Sequence, residues 1–328
     1  MTPRSQPPQP SPPSPPSRTA QSSLPGLPNE MRVFERGWLS SNNILFLGDE
    51  PALVDSGYVS HAAQTIALVQ HALPAGQPLA RLINTHLHSD HCGGNAALQA
   101  QYGCRTWVPA AEADPVRHWD EARLSYRATG QQCDRFAFDD TLSPGDALTL
   151  GEREWLVLGA PGHDPHALML YSAADGILIS ADALWERGFG VIFPELDGES
   201  GFAEQAAVLD LIEQLDVSLV IPGHGKPFDD IDGALGAARS RLDYLRSDPA
   251  RNARNALKVL IVFRLMAETE MTCDALKTTL DTARAWRGAA AMLAPPSAWP
   301  ELLDTLIAEL AKAGALRHDA AQGKLYSV

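Results

Sequence analysis

Between Thr85 and His91 the chain reads Thr-His-Leu-His-Ser-Asp-His, so three imidazoles and one carboxylate fall within six residues, 86 to 91. Neutral imidazole and carboxylate are donors for zinc, iron or manganese, whereas calcium and magnesium sites are built mainly from oxygen. The run before them, Leu79-Ala80-Arg81-Leu82-Ile83-Asn84, is short and apolar and follows the turn-forming Pro74-Ala75-Gly76, which predicts a buried strand. The cluster then sits at a strand C-terminus, where α/β proteins place their ligands. Residues two apart on an extended segment project to the same side. His86 and His88 could therefore grip one cation, while Asp90 and His91 need another direction, most simply a second cation. A polar loop with surface histidines is the plainer alternative, and the density of the cluster disfavours it.

Three later segments repeat the device of an apolar strand that ends in one metal-type residue. Trp155-Leu-Val-Leu158 leads through Gly159-Ala-Pro-Gly162 into His163; Ile177-Leu-Ile-Ser180 leads into Asp182; Val217-Ser-Leu-Val-Ile221 leads through Pro222-Gly223 into His224. Small flanking residues let backbone approach a metal closely. Each segment alone is weak, because a histidine after a strand is usually only a polar cap; together with the first cluster they form a set.

The elements that must position these residues are legible between Met31 and about Pro227. Asn43–Leu47 and Ala52–Ser56 read as paired strands around the turn Gly48-Asp-Glu-Pro51. Residues 61 to 73 read as a helix with Ala62, Ile66, Val69 and Leu73 on one face. His61 and His71 are then helix-surface residues. Gly93-Gly94-Asn95 opens a helix over Ala96–Tyr102, whose positive end would favour an anionic ligand nearby.

Here the residues resemble the metallo-β-lactamase superfamily across roughly residues 31 to 230, in its hydrolase branch. Its HxHxDH motif stands as His86, His88, Asp90 and His91, and its later motifs as Pro161-Gly162-His163, Asp182 and Pro222-Gly223-His224-Gly225. Val54-Asp55-Ser56-Gly57 matches an early strand end whose aspartate supports the metal loops from behind. The resemblance implies an α/β fold, a four-layer αββα sandwich with the site along one edge. It also implies that His86, His88 and His163 hold one metal, that Asp90, His91 and His224 hold a second, and that Asp182 bridges them. The cofactor expected is two divalent ions, zinc first, with iron or manganese as alternatives. Two such ions share a water, lower its pKa and aim it at an electrophile, with Asp90 as the catalytic residue that orients that water or moves its proton. The chain departs from the family at His163-Asp164-Pro165-His166, where His-Thr-Pro-Gly is common, and at Ala181, where relatives often carry glycine. Asp164 could hydrogen-bond a ligand histidine, His166 could line the pocket or simply pack, and a methyl group at Ala181 should be tolerated.

Composition bounds the rest. The 328 residues carry a net charge of −14, which disfavours nucleic acid as a general partner because counterion release needs clustered Lys and Arg. Cys92, Cys104, Cys133 and Cys273 have neither pairing nor zinc-ribbon spacing and read as reduced thiols of a cytoplasmic protein. No run of eighteen apolar residues supports a membrane span. Residues 1–28 hold ten prolines and read as a disordered tail that precedes a catalytic domain over 29–235.

The substrate side is less marked. The loop Ala183–Glu195 carries Trp185, Phe189 and Phe193 and is either a substrate wall or a packed cover; Tyr58 and Tyr171 are candidate oxyanion donors. Residues 239–258 contain six basic side chains, which could face an anionic substrate or form a solvated helix face. Helices are expected at Leu257–Ala267, Cys273–Thr282, capped by Thr272, and Pro300–Ala313, followed by a hairpin in 316–328 with His318 exposed. Three helices and a hairpin resemble a winged-helix-like domain over 236–328. The reading is a hydrolase that takes a small-molecule ester, thioester or lactone through a metal-bridging hydroxide. The alternatives are an iron persulfide dioxygenase using His86, His163 and Asp182, and an RNA-processing hydrolase using the C-terminal module. No sequence feature sets an oligomeric state.

Overall fold

A computed structural model describes residues 26–328; all but the last three residues of the expected proline-rich tail, 1–28, lie outside the described residues. Six strands form the first sheet in chain order: β1 (Met31–Phe34), β2 (Asn43–Phe46), β3 (Ala52–Val54), β4 (Arg81–Ile83), β5 (Arg105–Pro109) and β6 (Asp140–Leu142). Strands β1 to β3 are antiparallel, and β3 to β6 run parallel. The second sheet has β7 (Ala147–Leu150), β8 (Arg153–Gly159), β9 (Leu168–Ser172), β10 (Ile177–Ala181) and β11 (Leu219–Pro222) in reverse order, β11-β10-β9-β8-β7. Only its β10–β11 pair is parallel.

Period-two alternation assigns the faces. Ile44, Phe46, Val54 and Ile83 from the first sheet meet Leu168, Leu170, Ile177 and Ile179 from the second in one buried core. Their neighbours Leu45, Leu53 and Leu82 point to the opposite face, against Val69, Leu73 and Leu98, as the pleat requires. Likewise Met169, Leu178 and Val220 turn outward onto Val208, Leu209 and Ile212. Phe46 meets Trp155 edge-on at 5.3 Å between the sheets, and the Trp155 indole donates to Leu150 O at 3.2 Å, so its buried polar end is satisfied.

The helices supply the outer layers. α1 (Ala62–Ala72), α2 (Ser89–Cys92) and α3 (Asn95–Tyr102) belong to the first sheet's side, with α4 (Ala113–His118) and α5 (Tyr126–Thr129) between β5 and β6 in sequence; α6 (Phe202–Glu213) and α7 (Ile231–Arg246) cover the second sheet. The result is the expected four-layer αββα sandwich. The short α2 was not expected: the second half of the metal motif is itself one helical turn.

Four helices follow: α8 (Pro249–Glu268), α9 (Cys273–Thr282), α10 (Arg284–Ala291) and α11 (Trp299–Lys312). Three short strands, β12 (Glu270–Thr272), β13 (Arg317–Asp319) and β14 (Lys324–Tyr326), pair in the order β12-β14-β13. Asp248 caps α8 by accepting from Ala250 N at 3.1 Å, and Thr272 caps α9 by accepting from Ala275 N at 3.1 Å. α10 and β12 are additions to the expected three helices and hairpin; Glu-Met-Thr is too short to show an alternating pattern. The expected cut at 235/236 falls inside α7, whose Leu235, Ala238 and Leu242 share the core of the second sheet. A separate core gathers Leu257, Leu260, Leu276, Trp286, Leu306 and Leu325. Among the described residues no helix is long and apolar enough to cross a membrane.

Candidate metal centre

Strands β3 and β4 are parallel, as are β8, β10 and β11 by their pairings, so the segments after all five emerge at one edge of the sandwich. Hydrogen bonds tie the two halves of that edge together, Leu168 N donating to Thr85 O at 2.8 Å and Asn42 N to Gly223 O at 2.7 Å, and Ser41 N joins two loops of the first sheet by donating to Asp90 O at 2.9 Å. All seven residues expected from the sequence come together there. His86, His88 and His163 form one group, Asp90, His91 and His224 a second, and His86, His91 and Asp182 a third, the ligand atoms within each lying within 4.8 Å of one another.

Asp182 stands between the first two groups. Its Oδ2 is 3.4 Å from His163 Nε2, and its Oδ1 is 3.5 Å from His91 Nε2 and 3.8 Å from His224 Nε2. On the turn of α2, adjacent residues point in different directions, and this separates Asp90 from His91. Asp90 Oδ2 accepts from His224 Nε2 at 3.0 Å, while His91 turns back to Asp55.

Two of the imidazoles are held by their other nitrogen. His91 Nδ1 lies 2.8 Å from Asp55 Oδ2, which also accepts from Thr85 Oγ1, while Asp55 Oδ1 accepts from Thr85 N. His163 Nδ1 donates to Val191 O at 2.6 Å. These bonds favour the tautomers whose Nε2 is free to accept, and His163 Nε2 meets His88 Nδ1 at 2.8 Å. The Nε2 atoms of His86 and His91 are buried with no hydrogen-bond partner, a condition that ordinarily costs ~1–3 kcal/mol. A cation in each group would take those lone pairs.

The electrostatics agree. Burial, then the neighbouring His91 and His88, hold His86 well below its ordinary pKa, and burial, then His88, pushes His163 down to about 4. Both are therefore neutral, the ligating form. Burial alone would also lower His91, but Asp182, Asp55 and Asp90 outweigh it and raise that imidazole well above 6.5. Burial opposes ionisation of Asp182 and Asp90, yet the histidines keep both carboxyls below their usual range. The carboxylates thus favour positive charge around His91, and the donors are nitrogen and oxygen without thiolate, a set that fits divalent zinc, iron or manganese.

Other expectations fare variously. The loop after Asp182 is both wall and cover: Phe189 and Ile192 are buried in the core of the second sheet, while Trp185 and Phe193 line a cavity of about 250 Å³ together with Asp90, His163, Asp182 and His224. Neither tyrosine serves that cavity. Tyr171 Oη donates to Asp216 O at 3.0 Å at the far end of β11, and Tyr58 Oη accepts from Gln132 N at 3.3 Å in the core. The α3 N-terminus offers no anion site, because Gly94 N donates to Gly57 O and Ser56 Oγ and Asn95 is buried against Asn84. Cys92 faces Tyr126 Oη at 3.0 Å and takes no part in the metal groups. Asp164 Oδ2 stands 3.6 Å from His88 Nε2, too far for a hydrogen bond, and His166 lies beside Glu112 in an adjoining cavity. Ala181 is accommodated, but at φ 47°, which explains why glycine is common there.

Sequence reasoning missed Trp38, whose ring stacks on His224 at 5.4 Å and 12°. It sits in the loop between β1 and β2 with no local signal beyond being an exposed aromatic. Arg241 and Asn255, which also line the cavity, were submerged in the basic run.

A layered α/β sandwich with histidine and carboxylate groups gathered at its strand ends defines a candidate metal-binding scaffold. The family described as the Metallo-beta-lactamase superfamily matches residues 36–224, and the chain belongs to that superfamily. A hydroxyacylglutathione hydrolase of Rhizobium etli is 26% identical over 132 residues, covering 40% of this chain and 44% of the relative. One from Rhodopseudomonas palustris is 29% identical over 155 residues, covering 44% and 53%. The chain thus spans about half the length of these curated relatives. In fold it is similar to a beta-lactamase domain protein from Burkholderia ambifaria, with TM-score 0.57, 21% identity and 94% of each chain covered. A metallo-beta-lactamase family protein from Thermus thermophilus gives TM-score 0.53, 21% identity, and 94% and 100% coverage.

Proposed function

We propose that this protein is a dinuclear metal-dependent hydrolase of a small ester, thioester or lactone. One observation carries the reading: the second group, Asp90, His91 and His224, is as complete as the first, with Asp182 between them. That completeness favours two ions over the single iron of a persulfide dioxygenase. His86, His88 and His163 would hold one ion and Asp90, His91 and His224 the other, with zinc the best match to the donors. When bound, such a pair supplies an acidified water and a Lewis acid.

The chain's own residues do the remainder. Asp55 and Val191 O keep the Nε2 lone pairs of His91 and His163 aimed inward. Asp90 stays ionised, and its Oδ1 is left out of the His224 contact, so it can accept the proton of an attacking water and return it to the leaving group. Trp38 and Trp185 flank His224 and shield it from solvent. The name of the curated relatives, hydroxyacylglutathione hydrolase, supports a thioester among the substrates. All four cysteines are free thiols, which supports a reducing, cytoplasmic setting. For the domain division, the separate C-terminal core supports a winged-helix-like module that begins at the Ser247–Asp248 turn rather than within α7.

Metal analysis of the purified protein, run with a panel of thioesters, esters and lactones, tests the reading. Close to two ions per chain and hydrolysis lost on chelation and restored by zinc are expected. Undiminished hydrolysis by a folded, metal-free preparation would falsify it.

A further inference from the structure

The cavity beside the metal groups contains a cation without an anion. Of the six basic side chains in residues 239–258, four are engaged at the surface. Arg239 reaches Asp210 at 2.7 Å and Glu213 at 2.9 Å, Lys258 reaches Glu309 at 2.8 Å, Arg254 pairs with the same Glu309, and Arg251 lies 3.7 Å from Asp248. Arg241 differs. It lines the cavity, its Nε is buried without a hydrogen-bond partner, and no carboxylate lies within ion-pairing distance among the described residues. Its guanidinium lies 5.6 Å from the centre of the Phe189 ring, and its Cδ is 2.7 Å from where a Cβ on Gly188 would stand. The loop after Asp182 thereby fixes Arg241 in place. A second donor, Asn255 Nδ2, lines the same cavity and is also buried without an acceptor.

The Nε atoms of Arg81, Arg153 and Arg264 are likewise buried without a hydrogen bond, but each of these guanidiniums has a carboxylate, Glu50 at 3.7 Å, Glu30 at 2.7 Å and Glu268 at 3.0 Å, and Arg36 donates to the side chains of Gln64 and Thr65. In a protein of net charge −14, leaving one guanidinium unpaired beside an apolar wall is costly unless a ligand completes it. Two donors with no acceptor call for an acceptor-rich, anionic group, and guanidinium matches carboxylate in shape as well as charge. Most of the remaining wall, including Trp185, Phe189, Phe193, Leu260 and Phe263, is apolar, with Thr129 and Gln131 adding polar groups. At about 250 Å³ the space holds a short acyl chain and no large carrier.

We infer that the cavity selects a small ester or thioester whose acyl arm ends in a carboxylate, held by Arg241 and Asn255 while the scissile carbonyl lies at the His/Asp groups. The inference rests on the hydrolase reading for the scissile bond, but the anion pocket can be measured without turnover. The acids released from such substrates are dicarboxylates, so the probes are succinate, glutarate and adipate against butyrate, pentanoate and hexanoate. Binding to the zinc-loaded full chain is followed by calorimetry. Each pair has equal carbon number and one carboxylate for the metal end, and differs only at the distal end. The best diacid is expected to bind at least tenfold tighter than its monoacid, as a charge-assisted contact warrants. That ratio should fall to about one in Arg241→Gln and be partly retained in Arg241→Lys. The kcat/KM of mono-p-nitrophenyl glutarate over p-nitrophenyl pentanoate should show the same collapse, mainly through KM. Equal binding of diacids and monoacids by the unaltered protein overturns the inference without any variant, and a ratio preserved in a folded Arg241→Gln removes Arg241 from it. Diacid preference that depends on Arg241, with no ester hydrolysed, upholds the anion pocket and refutes the hydrolase reading instead.

Discussion

Asp55 Oδ2 lies 2.8 Å from His91 Nδ1, with both side chains almost wholly buried. Asp55 holds this position at φ 57°, a left-handed conformation uncommon for a side-chain-bearing residue. The strain at the end of β3 is offset by three contacts of one carboxylate: it accepts from Thr85 N and Thr85 Oγ1 and orients His91. Asp55→Asn would present an amide N–H to Nδ1 and favour the tautomer that protonates Nε2. Zinc affinity should fall about 10–100-fold, read by competition with a chromophoric chelator. An unchanged affinity would remove Asp55 from the orienting role.

Gly223 is needed for space rather than for its backbone angles. A Cβ there would collide with Asp182 Oδ1 and come within 3.0 Å of Ala181 C and His91 Cε1. Gly223→Ala should therefore lower metal content below that of the unaltered protein without deleting a ligand, and reduce hydrolysis ~100-fold through misplacement. Metal analysis and kcat on the folded variant check both, and a fully loaded, fully active variant would contradict the packing argument.

Glu112 is nearly buried in the cavity adjoining His166, and burial, then Asp164, pushes its carboxyl up to about 8, against a smaller lowering by Arg123. Between its ordinary 4.5 and about 8 the folded state therefore holds a proton that the unfolded state has lost. Its contribution is fully present below pH 4.5 and is lost as pH rises through about 8, with a slope of about 1.4 kcal/mol per pH unit. Glu112→Gln should be more stable than the unaltered protein at pH 8, and the gap should shrink towards pH 5. Urea unfolding at both values decides it; a gap independent of pH would contradict the buried, protonated carboxyl.

Ala181 at φ 47° carries the strain of a left-handed alanine while its carbonyl accepts from Gly223 N at 2.7 Å. Ala181→Gly should stabilise the protein by about 0.5–1 kcal/mol, a rise of roughly 1 °C in Tm for a chain of this size. Calorimetry at matched metal load provides the check, and a lower Tm would show that the backbone is not strained there.

Much of the site was legible because its residues are adjacent in sequence or end apolar strands. His86 to His91 form one segment, and His163, Asp182 and His224 each follow a run whose composition alone predicts a buried strand. The layering was legible too, because Ile44, Leu45 and Phe46 alternate between two cores that both need apolar residues. Boundaries were less so: α2 hides inside the metal motif, and α7 looks like the start of the C-terminal domain although its apolar face belongs to the second sheet.

The tertiary structure alone decided what surrounds the metal groups. Trp38 reaches His224 from a loop 186 positions earlier, and Arg241 reaches the cavity from a helix whose other basic residues are solvated. A strand or helix announces itself through periodicity within a dozen residues, because its hydrogen bonds and faces repeat locally. Whether one basic side chain among six finds a carboxylate or an apolar cavity depends on which elements meet in space, and no local pattern encodes that. The sequence by itself determined the donor atoms, their strand ends and the sandwich that carries them; packing between distant segments determined the shape and charge of the space they face.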